Sequence, residues 1–304
     1  MKEKTMHPLI ESLIKRGPVV TDGSWGTQMQ ARGLKSGMCP DSWNLDHPQQ
    51  VKEVAQQYID AGSQIILTNT FGGNRIALDK YNLGDKIADI NIAGVRISKE
   101  AAGDRAYVFA SIGPSGKMLI TKETTEEELR DVFEEQANAQ ARAGADGIIV
   151  ETMIDIVEAR IAALAAKQTG LPVIVSMVFD SGEDKDRTMM GNTPEECLNE
   201  IAVCGIDGVG ANCGQGIDAF LPICTRMRRA TDLPIWIKPN AGLPEFIDNK
   251  TVFRTTAQEF VPYIPDLIRA GTNFIGGCCG TDHTFVQAIR ETISHYKDEM
   301  TDTS

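Results

Sequence analysis

One rhythm constrains this chain more than any other feature. A short, apolar, β-branched run ends in a polar residue or Gly, a helical stretch follows, and the unit recurs eight times. The strand candidates are Pro18–Gly23, Gln64–Thr70, Tyr107–Gly113, Gly147–Thr152, Pro172–Phe179, Gly208–Cys213, Pro234–Asn240 and Phe274–Cys279. Ile148-Ile149-Val150 shows the continuous apolar run of a parallel strand buried on both faces. Thr125-Glu126-Glu127-Glu128, Thr193-Pro194-Glu195-Glu196 and Thr256-Ala257-Gln258-Glu259 match capping boxes. Gly62, Gly103, Gly144, Gly170, Gly205 and Gly271 punctuate the approaches to the following strands, where helices end.

Eight such units predict an α/β fold, a single-domain (β/α)8 TIM barrel, with a doubly wound open sheet as the alternative. The length of 304 residues suits it, since one such barrel takes about 250 residues before insertions. Residues 1–17 read as an N-terminal helix capping the bottom of the barrel, because Leu9-Ile10 and Leu13-Ile14 fall at helical spacing. Residues 18–304 then form the barrel. Two loops on the upper face are long, Asp180–Asn192 and Ala241–Arg254. Loops of that length are either lids over a site or solvated excursions.

The net charge of −12 speaks against a nucleic-acid partner, which needs clustered Lys and Arg. No apolar run approaches the roughly 18 residues of a membrane span, and the first 17 residues lack the apolar centre of a signal peptide. Seven cysteines, an odd number, fit reduced thiols in a cytoplasmic enzyme better than disulfides.

Active sites of β/α barrels lie where strands end. Those ends carry Asp22-Gly23, Asn69-Thr70, Ser111, Glu151, Asn212-Cys213, Asn240 and Cys278-Cys279. Three thiols from strands six and eight would converge on one mouth. Adjacent strand side chains point to opposite faces. Cys278 and Cys279 can therefore share an ion only if the backbone leaves strand geometry, and flanking glycines supply that freedom. Three thiolates on Zn²⁺ leave a fourth position open, which marks a catalytic rather than a structural site. Small buried cysteines are the competing reading, and they account for Cys39, Cys197, Cys204 and Cys224, the last on the outer helix after strand six. Asp22-Gly23 alone also reads as a turn, Glu151 as a carboxylate facing a helix start, and Asn69 and Asn212 as loop caps.

Asp22-Gly23-Ser24-Trp25-Gly26-Thr27, Thr68-Asn69-Thr70-Phe71, Gly210-Ala211-Asn212-Cys213 and Gly277-Cys278-Cys279-Gly280-Thr281 occur in order at these strand ends. Together they resemble the homocysteine S-methyltransferase family, especially the homocysteine-binding domain of cobalamin-dependent methionine synthase. The resemblance covers nearly the whole chain. It implies a zinc site from Cys213, Cys278 and Cys279, with these and Glu151 as catalytic residues. It also implies a substrate pocket of Asp22, Gly23, Trp25, Thr27, Asn69, Thr70, Ser111, Glu151, Asn212 and Asn240, the last a candidate oxygen ligand when substrate is absent.

The 304 residues hold no module for a methyl carrier, so the resemblance implies a separate corrinoid (cobalamin) protein as partner and a small-molecule methyl donor or acceptor. Trp25 stands where the family pattern has a small residue or Met. Its flat face suits a flat ligand. The sequence therefore leans toward the stand-alone, corrinoid-linked O-demethylase components similar to this family, with an aryl methyl ether as substrate. Homocysteine methylation, from methylcobalamin or directly from S-methylmethionine, betaine or S-adenosylmethionine, is the alternative. Trp25 as a core-filling ring is the simpler reading of that residue.

Overall fold

The computed structural model describes residues 6–247 and 250–302. Its sheet has eight parallel strands: β1 (Val19–Val20), β2 (Ile65–Leu67), β3 (Tyr107–Ile112), β4 (Gly147–Met153), β5 (Val173–Met177), β6 (Gly208–Gly216), β7 (Ile235–Asn240) and β8 (Thr272–Ile275). From β2 to β8 each pairs with its neighbour in chain order, and β8 returns to β1. Between β1 and β2 one backbone and two side-chain hydrogen bonds complete the ring. The Gln64 backbone N–H donates to Val20 O at 2.8 Å, its side chain accepts from the Val20 N–H, and Asp22 accepts from the Leu67 N–H at 2.7 Å. The molecule is a (β/α)8 barrel, which settles the choice against the open sheet.

Alternation along the strands sorts the core into two shells. Val19, Ile65, Leu67, Phe109, Ile149, Ile174, Trp236 and Phe274 fill the interior. Val20, Ile66, Val108, Ile148, Val150, Val175, Ile237 and Ile275 face outward and meet the helices. A helix over Pro8–Ile14 adds Ile10 and Leu13 to the interior cluster. Residues 1–5 and 303–304 of the two segments expected from the sequence lie outside the described residues.

The expected caps form with one variation. Thr193 and Thr256 complete reciprocal boxes with Glu196 and Glu259. Thr125 accepts from the Glu128 N–H, but the Glu128 carboxylate takes the Thr124 hydroxyl instead. Gly62 and Gly271 take the left-handed conformation, φ 107° and 99°, that the helix exits require.

Strand ends depart from expectation on the upper face. β1, β2 and β8 stop three or four residues short of the predicted limits, because their last residues leave the ladder to build the loops of the mouth. The loop at Ala241–Arg254 carries an unforeseen antiparallel hairpin, Glu245–Ile247 with Lys250–Val252, whose residues 248 and 249 lie outside the described residues. No helix among the described residues is long and apolar enough to cross a membrane.

Candidate active site

β6 and β8 deliver three thiols to one point. The Sγ atoms of Cys213, Cys278 and Cys279 all lie within 4.8 Å of one another, with Cys213 and Cys279 at 3.9 Å. Tetrahedral Zn–S bonds of about 2.3 Å place thiolate sulfurs about 3.8 Å apart, so the set has the spacing of a zinc triad.

Local backbone geometry creates this convergence. Pairing of β6 with β7 is regular as far as Asn212 opposite Lys238, then slips before Gly216 meets Asn240. Inside the slip Cys213 sits at φ 62°, a left-handed conformation costing about 1–3 kcal/mol for a residue with a Cβ. Thr152, beyond the irregularity in β4, also has φ 62°. Asn212 ties the two positions together. Its Oδ1 accepts from the Thr152 N–H and the Ser176 hydroxyl, and its Nδ2 donates to Thr152 Oγ1 at 2.8 Å.

The Cys278-Cys279 pair leaves strand geometry as expected, and Gly280 behind it takes a left-handed φ of 82°, the freedom expected of a flanking glycine, but the two glycines before it act differently. Gly276 and Gly277 are not left-handed; they permit close approach. A Cβ on Gly276 would lie 2.1 Å from Thr21 Oγ1, and one on Gly277 would lie 2.4 Å from Thr281 Oγ1. The end of β7 then holds the pair. Cys278 N–H donates to Pro239 O at 2.7 Å, and Cys279 N–H donates to Asn240 Oδ1 at 3.0 Å.

Three thiols this close cannot ionise together without a cation. Hydrogen bonds from Cys278 and Cys279 pull the Cys213 thiol down to about 3, and the same contacts push the Cys278 thiol up to about 12 and the Cys279 thiol far up. A divalent ion removes that conflict by holding all three as thiolates.

The thiols edge a cavity of about 550 Å³ at the barrel mouth. Of the expected pocket residues, Gly23, Trp25, Thr27, Asn69, Ser111 and Glu151 line it. Asp22, Thr70, Asn212 and Asn240 stand one layer behind. Thr70 donates to Ser111 O, Asn240 braces Cys279, and Asp22 is fully enclosed. A strand-end position alone does not separate a wall residue from the one behind it.

Glu151 accepts from the Ser111 hydroxyl at 2.5 Å. Burial drives its carboxyl up to about 7, with Lys238 pulling it down and Cys278 pushing it up. Trp25 is half-buried. It packs against both core shells, stands 6.4 Å from the Tyr58 ring centre, and donates Nε1–H to Asp22 at 2.7 Å. It is both wall and core.

Sequence reasoning missed Lys238 and three aromatic walls, Phe71, Tyr81 and Phe253. A lone Lys inside the apolar strand Ile235-Trp236-Ile237-Lys238 was a readable signal; the aromatic residues lie on loops without periodicity.

Residues 19–293 match the model of the family described as homocysteine S-methyltransferase. The chain belongs to that family and is a methyltransferase. It is 28% identical over 311 residues to the methionine synthase of Mycobacterium leprae (strain TN), an alignment covering 95% of this chain and 25% of that protein. It is 27% identical over 300 residues to the methionine synthase of Mycobacterium tuberculosis (strain ATCC 25618 / H37Rv), covering 92% and 25%. The chain thus spans about a quarter of the length of these curated relatives. The metallated form of the homocysteine methyltransferase MmuM from Escherichia coli superposes with a TM-score of 0.79 over 94% of this chain and 99% of that one. At 20% identity, that likeness speaks to the fold.

Proposed function

We propose that this barrel is a zinc methyltransferase. It moves a methyl group between a small substrate activated at Cys213, Cys278 and Cys279 and the cobalt of a corrinoid on a partner protein, with an aryl methyl ether as the favoured donor. The observation that carries this reading is the three-thiol cluster at the edge of a cavity walled by Trp25, Phe71, Tyr81 and Phe253. A zinc ion there supplies a Lewis acid with one position left for the substrate heteroatom.

The protein's own groups do the rest. Aromatic faces orient a flat ring. A corrinoid on the partner would supply the methyl acceptor; once the methyl has left, the ether oxygen keeps the electron pair of the broken C–O bond and needs a proton. Glu151, lining the cavity with its carboxyl near 7, can hold that proton within reach of the pocket. Exposed Phe246 and Ile247 on the hairpin and Leu243 just before it, with Phe71 and Tyr81 at the wall, give the mouth an apolar rim suited to a docking partner. The seven free thiols fit the reducing cytoplasm.

Homocysteine methylation is the second reading, supported by the family match and the methionine synthase relatives.

Metal analysis and a methyl-transfer assay test the proposal. About one zinc per chain is expected, lost in Cys213→Ala and Cys278→Ala, with methylcobalamin formed from cob(I)alamin and a methoxyaromatic. Full zinc retention in both variants overturns the site. Turnover of homocysteine with no methoxyaromatic demethylated moves the protein to the second reading.

A further inference from the structure

Asn212 stands one residue before Cys213 on β6, 1% exposed, and every hydrogen-bonding place on its amide is taken. Its Oδ1 accepts from the Thr152 N–H of β4 at 3.0 Å and from the Ser176 hydroxyl of β5 at 2.6 Å. Its Nδ2 donates one hydrogen to Thr152 Oγ1 at 2.8 Å and turns the other to Cys278 Sγ, 3.8 Å away beyond the end of β8. That orientation is forced. A backbone N–H can only donate, so Oδ1 must face the Thr152 nitrogen and Nδ2 must face the sulfur. A residue that capped its own loop would bond to neighbours in sequence. Asn212 instead joins the ends of three other strands. It also stands between the two left-handed positions: Cys213 follows it in sequence, and Thr152 is held at both N–H and hydroxyl. A β-branched residue at φ 62° persists only where its surroundings over-determine it, and this amide does so.

We infer that Asn212 is a positioning residue for the metal centre: its amide draws charge from the Cys278 thiolate and so raises the Lewis acidity of the ion the three sulfurs hold. Three thiolates more than neutralise a divalent ion, and each gives it electron density. The more they give, the less the ion polarises whatever takes its fourth position. A hydrogen bond to one sulfur keeps part of that charge on the ligand, which is how partners of metal ligands tune a site. An amide does this without adding charge of its own. The inference rests on the zinc methyltransferase reading and holds for either substrate named above.

Cobalt(II) and NMR-active cadmium serve as probes in place of zinc. In cadmium-loaded wild type, isotopically labelled at asparagine, the side-chain amide proton of Asn212 should show scalar coupling to the metal through the Cys278 sulfur. Asn212→Asp keeps the size and still accepts from Thr152 and Ser176, but it offers the sulfur no hydrogen. Loaded with cobalt(II), that variant should keep the tetrahedral ligand-field bands of wild type, while its sulfur-to-cobalt charge-transfer band moves to longer wavelength. A purely structural role for Asn212 leaves that band where it is. Asn212→Ala should bind zinc about 10–100-fold more weakly in competition with a chromophoric chelator. An absent coupling overturns the inference, as does an unmoved band in folded Asn212→Asp or an unchanged zinc affinity in folded Asn212→Ala. The wild-type coupling decides alone if neither variant folds. Protein that takes up none of the three metals defeats the metal reading, whereas metal-loaded protein without the coupling defeats only this one.

Discussion

The lower and upper halves of the barrel interior are built from opposite materials. Below, Phe109, Ile149, Ile174, Trp236 and Phe274 pack with Ile10 and Leu13 of the first helix. The Phe109 and Trp236 rings stack 6.4 Å apart. Above, the same strands present Asp22, Ser111, Glu151, Ser176, Asn212 and Lys238, buried and joined by hydrogen bonds and one ion pair, with two backbone positions in left-handed geometry. Apolar packing is non-directional and contributes stability roughly in proportion to area. A buried polar network contributes little net stability but fixes atoms in place, and each member left unpaired is costly. One half supplies the stability that the other half spends on position.

Cutting into the apolar half should give the largest effect. Phe109→Ala, fully buried in the lower cluster, should lower unfolding free energy by about 3–5 kcal/mol in urea titration, with zinc content retained. Loss of zinc at unchanged stability would erase the division between the halves.

Acidity should separate them next, since the lower cluster has no titrating group. Burial raises the Asp41 carboxyl at the cavity wall from its ordinary 3.8 to about 7, while its bond from the Gly72 N–H opposes the shift. The folded protein therefore holds this proton to higher pH than the unfolded chain. The associated stability is present below pH 3.8 and is lost as pH rises through about 7, at about 1.4 kcal/mol per unit. Asp41→Asn should remove that slope between pH 4 and 7, measured by urea unfolding. An identical slope in variant and wild type would show that Asp41 titrates normally.

The smallest effect belongs outside both halves. Thr193→Ala breaks a reciprocal cap on an outer helix and should cost about 1 kcal/mol in thermal unfolding, leaving substrate affinity unchanged.

What the sequence made legible follows the same division. The barrel strands announce themselves as apolar runs because parallel strands are buried on both faces, and Cys213, Cys278 and Cys279 stand at their ends beside glycines. Periodicity says nothing about which polar strand-end residue reaches the cavity and which braces its neighbour. Asn212 and Asn240 look like pocket residues in sequence, yet their hydrogen bonds hold Thr152, Ser176 and Cys279. The Lys238–Asp22 pair joins β7 to the loop after β1, a closeness that exists only because β8 lies between them in a curved sheet. Phe253 reaches the wall through a loop whose hairpin has no alternating pattern to reveal it.

The left-handed turn at Cys213 bears on how metal and fold depend on one another. In a zinc finger the ion is the glue, and chelation unravels the chain. Here the thiols hang from strand ends already fixed by ladder pairing, by the Asn212 bracket and by the grip of β7 on Cys278 and Cys279. Those bonds shape the nest through the fold's own groups. An ion held there could be stripped and replaced without the protein forgetting its form, so starvation for zinc would silence such an enzyme while leaving it whole, ready to resume when the metal returns.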